Sequence, residues 1–226
     1  MSRDDDKRLA AEAAAAEIVS GMIVGLGTGS TAAWLIAHLG ERVAAGLDIT
    51  AVATSRATER VARAAGIRVV ALDDLSDIDL AIDGVDEIDG DLRAIKGAGG
   101  AMLREKIVAS AARRMIAIAD GSKRVERLGA APVPVEVLPL ARGFVAARIE
   151  SLGGAATLRR HDDRSYRTDQ DNVVLDCAFG TEIDSVALAG QLAAIPGVLG
   201  HGLFLREIDS AYIASDGVIT RLDRTR

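Results

Sequence analysis

The chain has 226 residues, of which 49% are hydrophobic and 27% charged, with a formal net charge of −6. That length and apolar fraction suit one large domain, or one domain with a smaller companion, built on a true core. The acidic balance and the lack of a long basic run argue against nucleic acid as the main partner, because a phosphate backbone demands a basic face; a small anion needs only a local positive site.

Residues 4–19 read as a helix that opens on aspartates, which the helix dipole favours at that end. The stretch is acidic and amphipathic rather than a signal peptide, and no apolar run is long enough to span a membrane. "MIVGLG" (22–27) reads as a short buried strand, and 30–46 as a helix with Ser30 as its N-cap. A strand (49–54), a helix (55–66) and strands at 68–72 and 78–84 follow. A helix is expected from about residue 99 to 112, then the strand "MIAIAD" (115–120). This alternation predicts an α/β fold, a Rossmann-like, mostly parallel sheet with helices on both faces. Ligands of such sheets sit at the carboxyl ends of the strands, where "GLGTGST", "DGVDE" and "ADGSK" all fall.

The pattern changes at 128–139, where three of the four prolines lie. Residues 132–205 then read strand, helix, strand, strand, helix, strand, the last strand being "HGLFLRE". That order predicts a smaller ferredoxin-like α+β domain. The tail (211–222) is expected to return to the first domain. The expected division is therefore 1–130 with 206–226 as a Rossmann-like catalytic domain, and 131–205 as the small domain.

Cys177 is the only cysteine, so no internal disulfide forms, and its setting in "NVVLDCAF" reads as a buried strand thiol. His38, His161 and His201 are scattered, and neither HExxH nor CxxC spacing occurs, so no zinc site is expected. No serine sits in a GxSxG elbow.

"GLGTGST" (25–31) joins a strand to a helix. Glycines let the backbone aim N–H groups at an anion, and the helix N-terminus adds partial positive charge. Thr28, Ser30 and Thr31 bring hydroxyl donors. Ser30 stands where a dinucleotide fingerprint has its third glycine, and the next strand ends "AVATS" with no acid for a ribose hydroxyl. A phosphate monoester is the better ligand, although an ordinary tight turn explains the glycines equally well.

Asp83 ends the fourth strand at the ligand edge and Asp86 follows in the turn. Glu87, Asp89 and Asp91 read as a solvated acidic stretch. Helical phase puts Lys106, Ser110 and Arg113 on one face and Glu105 opposite, among Ala101, Val108, Ala109 and Ala112. A buried carboxylate tends towards a raised pKa, which suits a general base; a buried structural glutamate paired with a cation is the alternative. Lysine occurs only at positions 7, 96, 106 and 123. Lys96, just before "GAGG", either offsets nearby aspartates or stabilises an oxyanion. Together these groups equip a protein for proton transfer beside a carbonyl.

At these residues the sequence resembles the ribose-5-phosphate isomerases of the A type. "IVGLGTGSTA", "TSRATERVARAAGI", "DGVDEID", "IKGAGGAMLREK", "IADGSK", "PVPVEVLP", "TDQDNVVLD" and "IPGVLGHGLF" occur in that family's order across essentially the whole chain. The resemblance implies interconversion of ribose 5-phosphate and ribulose 5-phosphate in the non-oxidative pentose phosphate pathway, with no metal or organic cofactor. It implies Glu105 as the base that carries a proton between C2 and C1 through an enediolate, and Asp83 as a helper in ring opening and hydroxyl proton transfer. Asp86 and Lys96 are implied to hold the sugar oxygens. Thr28, Gly29, Ser30, Thr31, Asp83, Gly84, Val85, Asp86, Lys96, Gly97, Ala98, Gly99 and Lys123 are implied to line the substrate site, and Lys7 to help with phosphate. Ala98 departs from relatives that often carry a third consecutive glycine there. A cytoplasmic homodimer, in some relatives a homotetramer, is implied, with no nucleic-acid or membrane partner.

The same domain type also resembles the sugar-phosphate sensor half of DeoR-like regulators, which needs a preceding helix-turn-helix for which there is no room before residue 22. Amino-sugar-phosphate deaminases and sugar-lactone hydrolases share related architecture but lean on a catalytic histidine, and no histidine falls in the loops named above.

Overall fold

The computed structural model describes residues 2–73 and 75–225. The chain divides into two compact units, one of Met1–Val85, Arg104–Arg124 and Arg206–Arg226, the other of Asp86–Leu103 and Val125–Leu205. The chain begins with α1 (Arg3–Ala15), β1 (Ile23–Leu26), α2 (Ser30–Ala44), β2 (Thr50–Ala53), α3 (Arg56–Ala64), β3 (Arg68–Val70) and β4 (Leu80–Gly84). Two short strands, β5 (Glu87–Ile88) and β6 (Ala94–Ile95), open the second unit, before α4 (Met102–Ala111), β7 (Met115–Asp120) and a 3₁₀ turn (Gly121–Lys123). The second unit resumes with β8 (Val133–Val137), α5 (Arg142–Ser151), β9 (Ala155–Leu158), β10 (Arg160–His161), β11 (Arg164–Ser165), β12 (Val173–Ala178), α6 (Ser185–Ala193), β13 (Val198–His201) and β14 (Leu203–Phe204). The chain ends on β15 (Ser210–Ser215) and β16 (Val218–Asp223).

The first unit is a seven-stranded sheet in the order β16-β15-β7-β4-β1-β2-β3. Every pairing is parallel except that of β15 with β16. Chain order reverses between β1 and β4, the position where doubly wound sheets open a crevice. Strand alternation sorts the side chains. Val24, Leu26, Leu80, Ile82, Ile116 and Ile118 join one core with Ala10, Ala11 and Ala14 of α1 and Leu35, Ile36 and Leu39 of α2. The intervening Gly25, Gly27, Ala81 and Asp83 point to the other face, where Val108 of α4 lies so close that a methyl group on Gly25 would sit 2.5 Å from its Cγ1. Glycine and alanine at those positions are thus what lets α4 approach the sheet. At the chain start, Ser2 and Asp5 form a reciprocal capping box on α1.

The second unit contains an antiparallel sheet in the order β13-β8-β12-β9, the ferredoxin-like arrangement. Val133, Val135 and Val137 pack with Val145 and Ile149 of α5 and Leu188 and Leu192 of α6. A separate three-stranded sheet runs β14-β6-β5. "HGLFLRE" is therefore not one strand: Val198–His201 pairs with β8, and after Gly202 the chain changes partner to β6. The expected boundary also shifts. Asp86–Leu103 and residues 125–130 belong to the second unit, because β6 pairs with β14, the Val125 N–H bonds to the Ile88 carbonyl at 2.9 Å, and Leu128 joins the second core. Among the described residues no helix is long and apolar enough to cross a membrane.

Candidate active site

In the first unit, β1 and β4 end side by side at the reversal of strand order. The Thr28 N–H donates to Asp83 Oδ1 at 3.1 Å and the Gly84 N–H donates to the same oxygen at 2.7 Å. Two backbone donors therefore fix a carboxylate that is only 3% exposed. Gly27 makes room for it, since a Cβ there would stand 2.0 Å from Oδ1. Glu105, 4% exposed, projects from α4 on the side of the helix that also buries Ala101, Val108 and Ala109, as the helical phase predicts. Asp83 and Glu105 line one narrow cavity with Gly25, Gly27, Thr54 and Val108.

The turn before α2 is held from below. Thr28 Oγ1 lies 2.8 Å from Thr54 Oγ1, 2.9 Å from Ser55 Oγ and 3.0 Å from Thr58 Oγ1, and Thr58 Oγ1 donates to the Gly27 carbonyl at 2.9 Å. This knot of four hydroxyls anchors the turn, so the Thr28 side chain faces the protein. Sequence reasoning missed Thr54, Ser55 and Thr58, although "TSRAT" sits at the end of the strand beside β1. Ser30 is not the N-cap: Gly29 is, at φ 117°, and no side chain caps the helix. Gly29 and Ser30 are exposed and Thr31 is half-buried, so the first turn of a fifteen-residue helix presents its N–H groups without a side-chain acceptor.

Lys123 is half-buried in the 3₁₀ turn after β7, where Asp120 accepts the Ser122 N–H at 3.0 Å. Lys7 lies in α1 with its ammonium 3.0 Å from Asp4. Lys106, the lysine given no role, stands 3.4 Å from Glu207; burial holds its pKa below the ordinary range despite that neighbour.

In the second unit, Asp86 and the "KGAGG" turn are joined. The Asp86 N–H donates to the Ile95 carbonyl at 2.8 Å, and Asp86 Oδ2 accepts the Ala98 N–H at 2.8 Å. Lys96 is 2% exposed, its N–H bonds to Gly202 O at 2.9 Å, and its ammonium lies 5.4 Å from the centre of the Phe204 ring, within cation–π range. Gly97 and Gly100 carry the positive φ values of the turn, 101° and 78°. Ala98 is not among the left-handed residues, so its methyl group fits the turn. Gly99 is exposed and Val85, at the end of the first unit's segment, is buried.

The acidic stretch is not a solvated loop. Glu87 is 4% and Asp89 3% exposed. Glu87 accepts N–H groups of Gly129 (2.8 Å) and Ala131. Asp89 accepts the N–H groups of Asp91 and Arg93 and pairs with the Arg93 guanidinium at 2.8 Å. Only Asp91 of the three is exposed. Among the described residues no cluster of three or more His, Cys, Asp or Glu is placed to hold a metal ion.

The family model of ribose 5-phosphate isomerase A (phosphoriboisomerase A) matches residues 50–217. Ribose-5-phosphate isomerase A of Sphingopyxis alaskensis is 50% identical over 214 residues, covering 95% of this chain and 94% of the relative. That of Haloarcula marismortui is 48% identical over 222 residues, covering 96% of each. The crystal structure of ribose 5 phosphate isomerase A from Neisseria gonorrhoeae superposes with a TM-score of 0.93 at 36% identity, over 100% of this chain and 99% of that one. A D-ribose-5-phosphate isomerase in complex with phospho-erythronic acid gives 0.96 at 34% identity, over 99% and 100%. Matched over nearly its full length in sequence and fold, this chain belongs to the ribose-5-phosphate isomerase A family and is an isomerase.

Proposed function

We propose that the enzyme interconverts D-ribose 5-phosphate and D-ribulose 5-phosphate through an enediolate, with Glu105 as the general base. The observation that carries this reading is the pairing of two buried carboxylates, Asp83 and Glu105, in one narrow cavity at the reversal of strand order. In the direction of ribulose formation Glu105 takes the C2 proton and returns it to C1, while a hydroxyl proton passes from O2 to O1. Asp83, held by two N–H groups, assists opening of the furanose and that second transfer. Lys96, Asp86 and the N–H groups of the 97–99 turn hold the sugar oxygens and the negative charge that develops on them. Lysine suits that task because its compact charge approaches a single oxygen.

The phosphate is assigned to the start of α2, where Gly29, Ser30 and Thr31 offer N–H and hydroxyl donors and no side chain competes for them; Lys7 and Lys123 add positive charge. A relative solved with phospho-erythronic acid supports an anionic sugar phosphate as ligand. The same reading places the enzyme in the non-oxidative pentose phosphate pathway, as a cytoplasmic homodimer that uses no metal or organic cofactor.

The test is ribulose 5-phosphate formation with EDTA present, for wild type and Glu105→Gln. Wild type is expected to be active and the folded variant to lose about 10²–10⁴-fold in kcat. Full activity in Glu105→Gln would move the base elsewhere, and an inactive wild type that still binds the sugar phosphate would make the protein a sensor.

A further inference from the structure

The carbonyl side of the 96–100 turn is occupied by two residues to which no role has been given. Arg159 Nη1 donates to the Gly97 carbonyl at 3.0 Å and to the Ala98 carbonyl at 2.9 Å. The Tyr166 hydroxyl donates to the Gly99 carbonyl at 3.1 Å. Three successive carbonyls are thus tied to two side chains of the same unit. Arg159 is itself fixed: its Nε lies 2.9 Å from Asp176 Oδ2, a second nitrogen bonds Asp176 Oδ1, and its guanidinium stacks 5.7 Å from the Tyr166 ring centre. Tyr166 in turn packs on Gly100, where a Cβ would meet the hydroxyl at 2.2 Å.

A trans peptide points its C=O and N–H in opposite directions. Tying the Gly97 carbonyl to Arg159 therefore aims the Ala98 N–H away from it, and that N–H is the one that holds Asp86 Oδ2. Tying the Ala98 carbonyl aims the Gly99 N–H the same way. Among the described residues that N–H finds no acceptor in the protein, and Gly99 is exposed. On the reading above, in which this turn holds the reacting oxygens, we propose that Arg159 and Tyr166 are positioning residues for the isomerisation: they fix the peptide planes that orient Asp86 and the Gly99 N–H. Asp176 acts one step further out by holding the Arg159 fork. Neither residue touches the substrate in this account. Their effect falls on the transition state, because a misaligned donor forfeits charge stabilisation more than it forfeits binding.

The test is steady-state kinetics and thermal melting of the full-length chain as wild type, Arg159→Lys, Tyr166→Phe and the double variant. Arg159→Lys keeps the charge opposite Asp176 but loses the planar fork; Tyr166→Phe keeps the ring on Gly100 and loses one donor. The expected result is a fall in kcat of roughly tenfold for Arg159→Lys and about threefold for Tyr166→Phe, with KM within about twofold and melting little changed. The double variant loses a different amount from the product of the two, since both act on one turn. Unchanged kcat in both folded variants overturns the proposal, and so does a loss confined to KM. If Arg159→Lys fails to fold, Tyr166→Phe decides alone. An active wild type with indifferent variants overturns only the positioning role; an inactive wild type, or an active Glu105→Gln, overturns the isomerase reading or its base instead.

Discussion

A methyl group on Gly27 would stand 2.0 Å from Asp83 Oδ1 and 2.6 Å from Asp83 Cα. The backbone there is not left-handed, so the requirement for glycine is one of space. Gly27→Ala must displace the carboxylate that Thr28 and Gly84 hold. It is expected to lower kcat/KM by about 100-fold or more, with a folded protein melting a few degrees lower; wild-type kinetics in that variant would contradict the assignment of Asp83. The burial of Asp83 and Glu105 was legible in the sequence because the end of an apolar strand and helical phase are both local features. That of Glu87 and Asp89 was not. The N–H groups that satisfy Glu87 lie more than forty residues away, at Gly129 and Ala131, so a charge-rich run read as solvent-facing where it is in fact buried. Cys177 was legible: it is fully buried, and burial first, then the neighbouring Asp176 charge, push its thiol up to about 12.

At the level of elements, the start of the chain is tied to the sheet through Glu17, just past α1. Its carboxylate pairs with Arg114, accepts the Tyr212 hydroxyl at 2.5 Å and lies 3.6 Å from Arg221. Burial pulls its pKa upward, but the hydrogen bonds from Arg114 and Tyr212 outweigh that and hold it below 4.5. The unfolded chain therefore binds the proton more readily. The stabilisation is present above the unfolded value and fades as pH falls through the folded one. Glu17→Gln should cost about 1 kcal/mol near neutrality, a modest figure because the site is partly solvated, and nothing at strongly acid pH. Chemical denaturation across pH checks this; a constant difference would contradict it. Long, periodic elements were readable to within a few residues. The two-residue strands β5 and β6 were not, since two residues show no periodicity; β14 was read inside the single strand "HGLFLRE", but its pairing with β6, about a hundred positions earlier in the chain, was not.

Taken whole, the chain leaves the parallel sheet after β4, returns through α4 and β7, leaves again, and closes with β15 and β16 beside β7. The return of the tail was readable because its hairpin reads as strand; the first excursion was hidden because its strands are so short. This route delivers Glu105 on α4 to the face of the sheet that carries Gly25, Gly27 and Asp83. On the proposed mechanism, Glu105 removes the proton from C2 of the sugar phosphate. The direct measurement is loss of deuterium from C2 of [2-²H]ribose 5-phosphate, summed over label carried to C1 of ribulose 5-phosphate and label exchanged into water, for wild type and Glu105→Gln, alongside the affinity of each for the sugar phosphate. Wild type is expected to clear deuterium from C2, and the variant to do so about 10²–10⁴-fold more slowly at nearly unchanged affinity. Clearance at the wild-type rate by folded Glu105→Gln would contradict the assignment of the base.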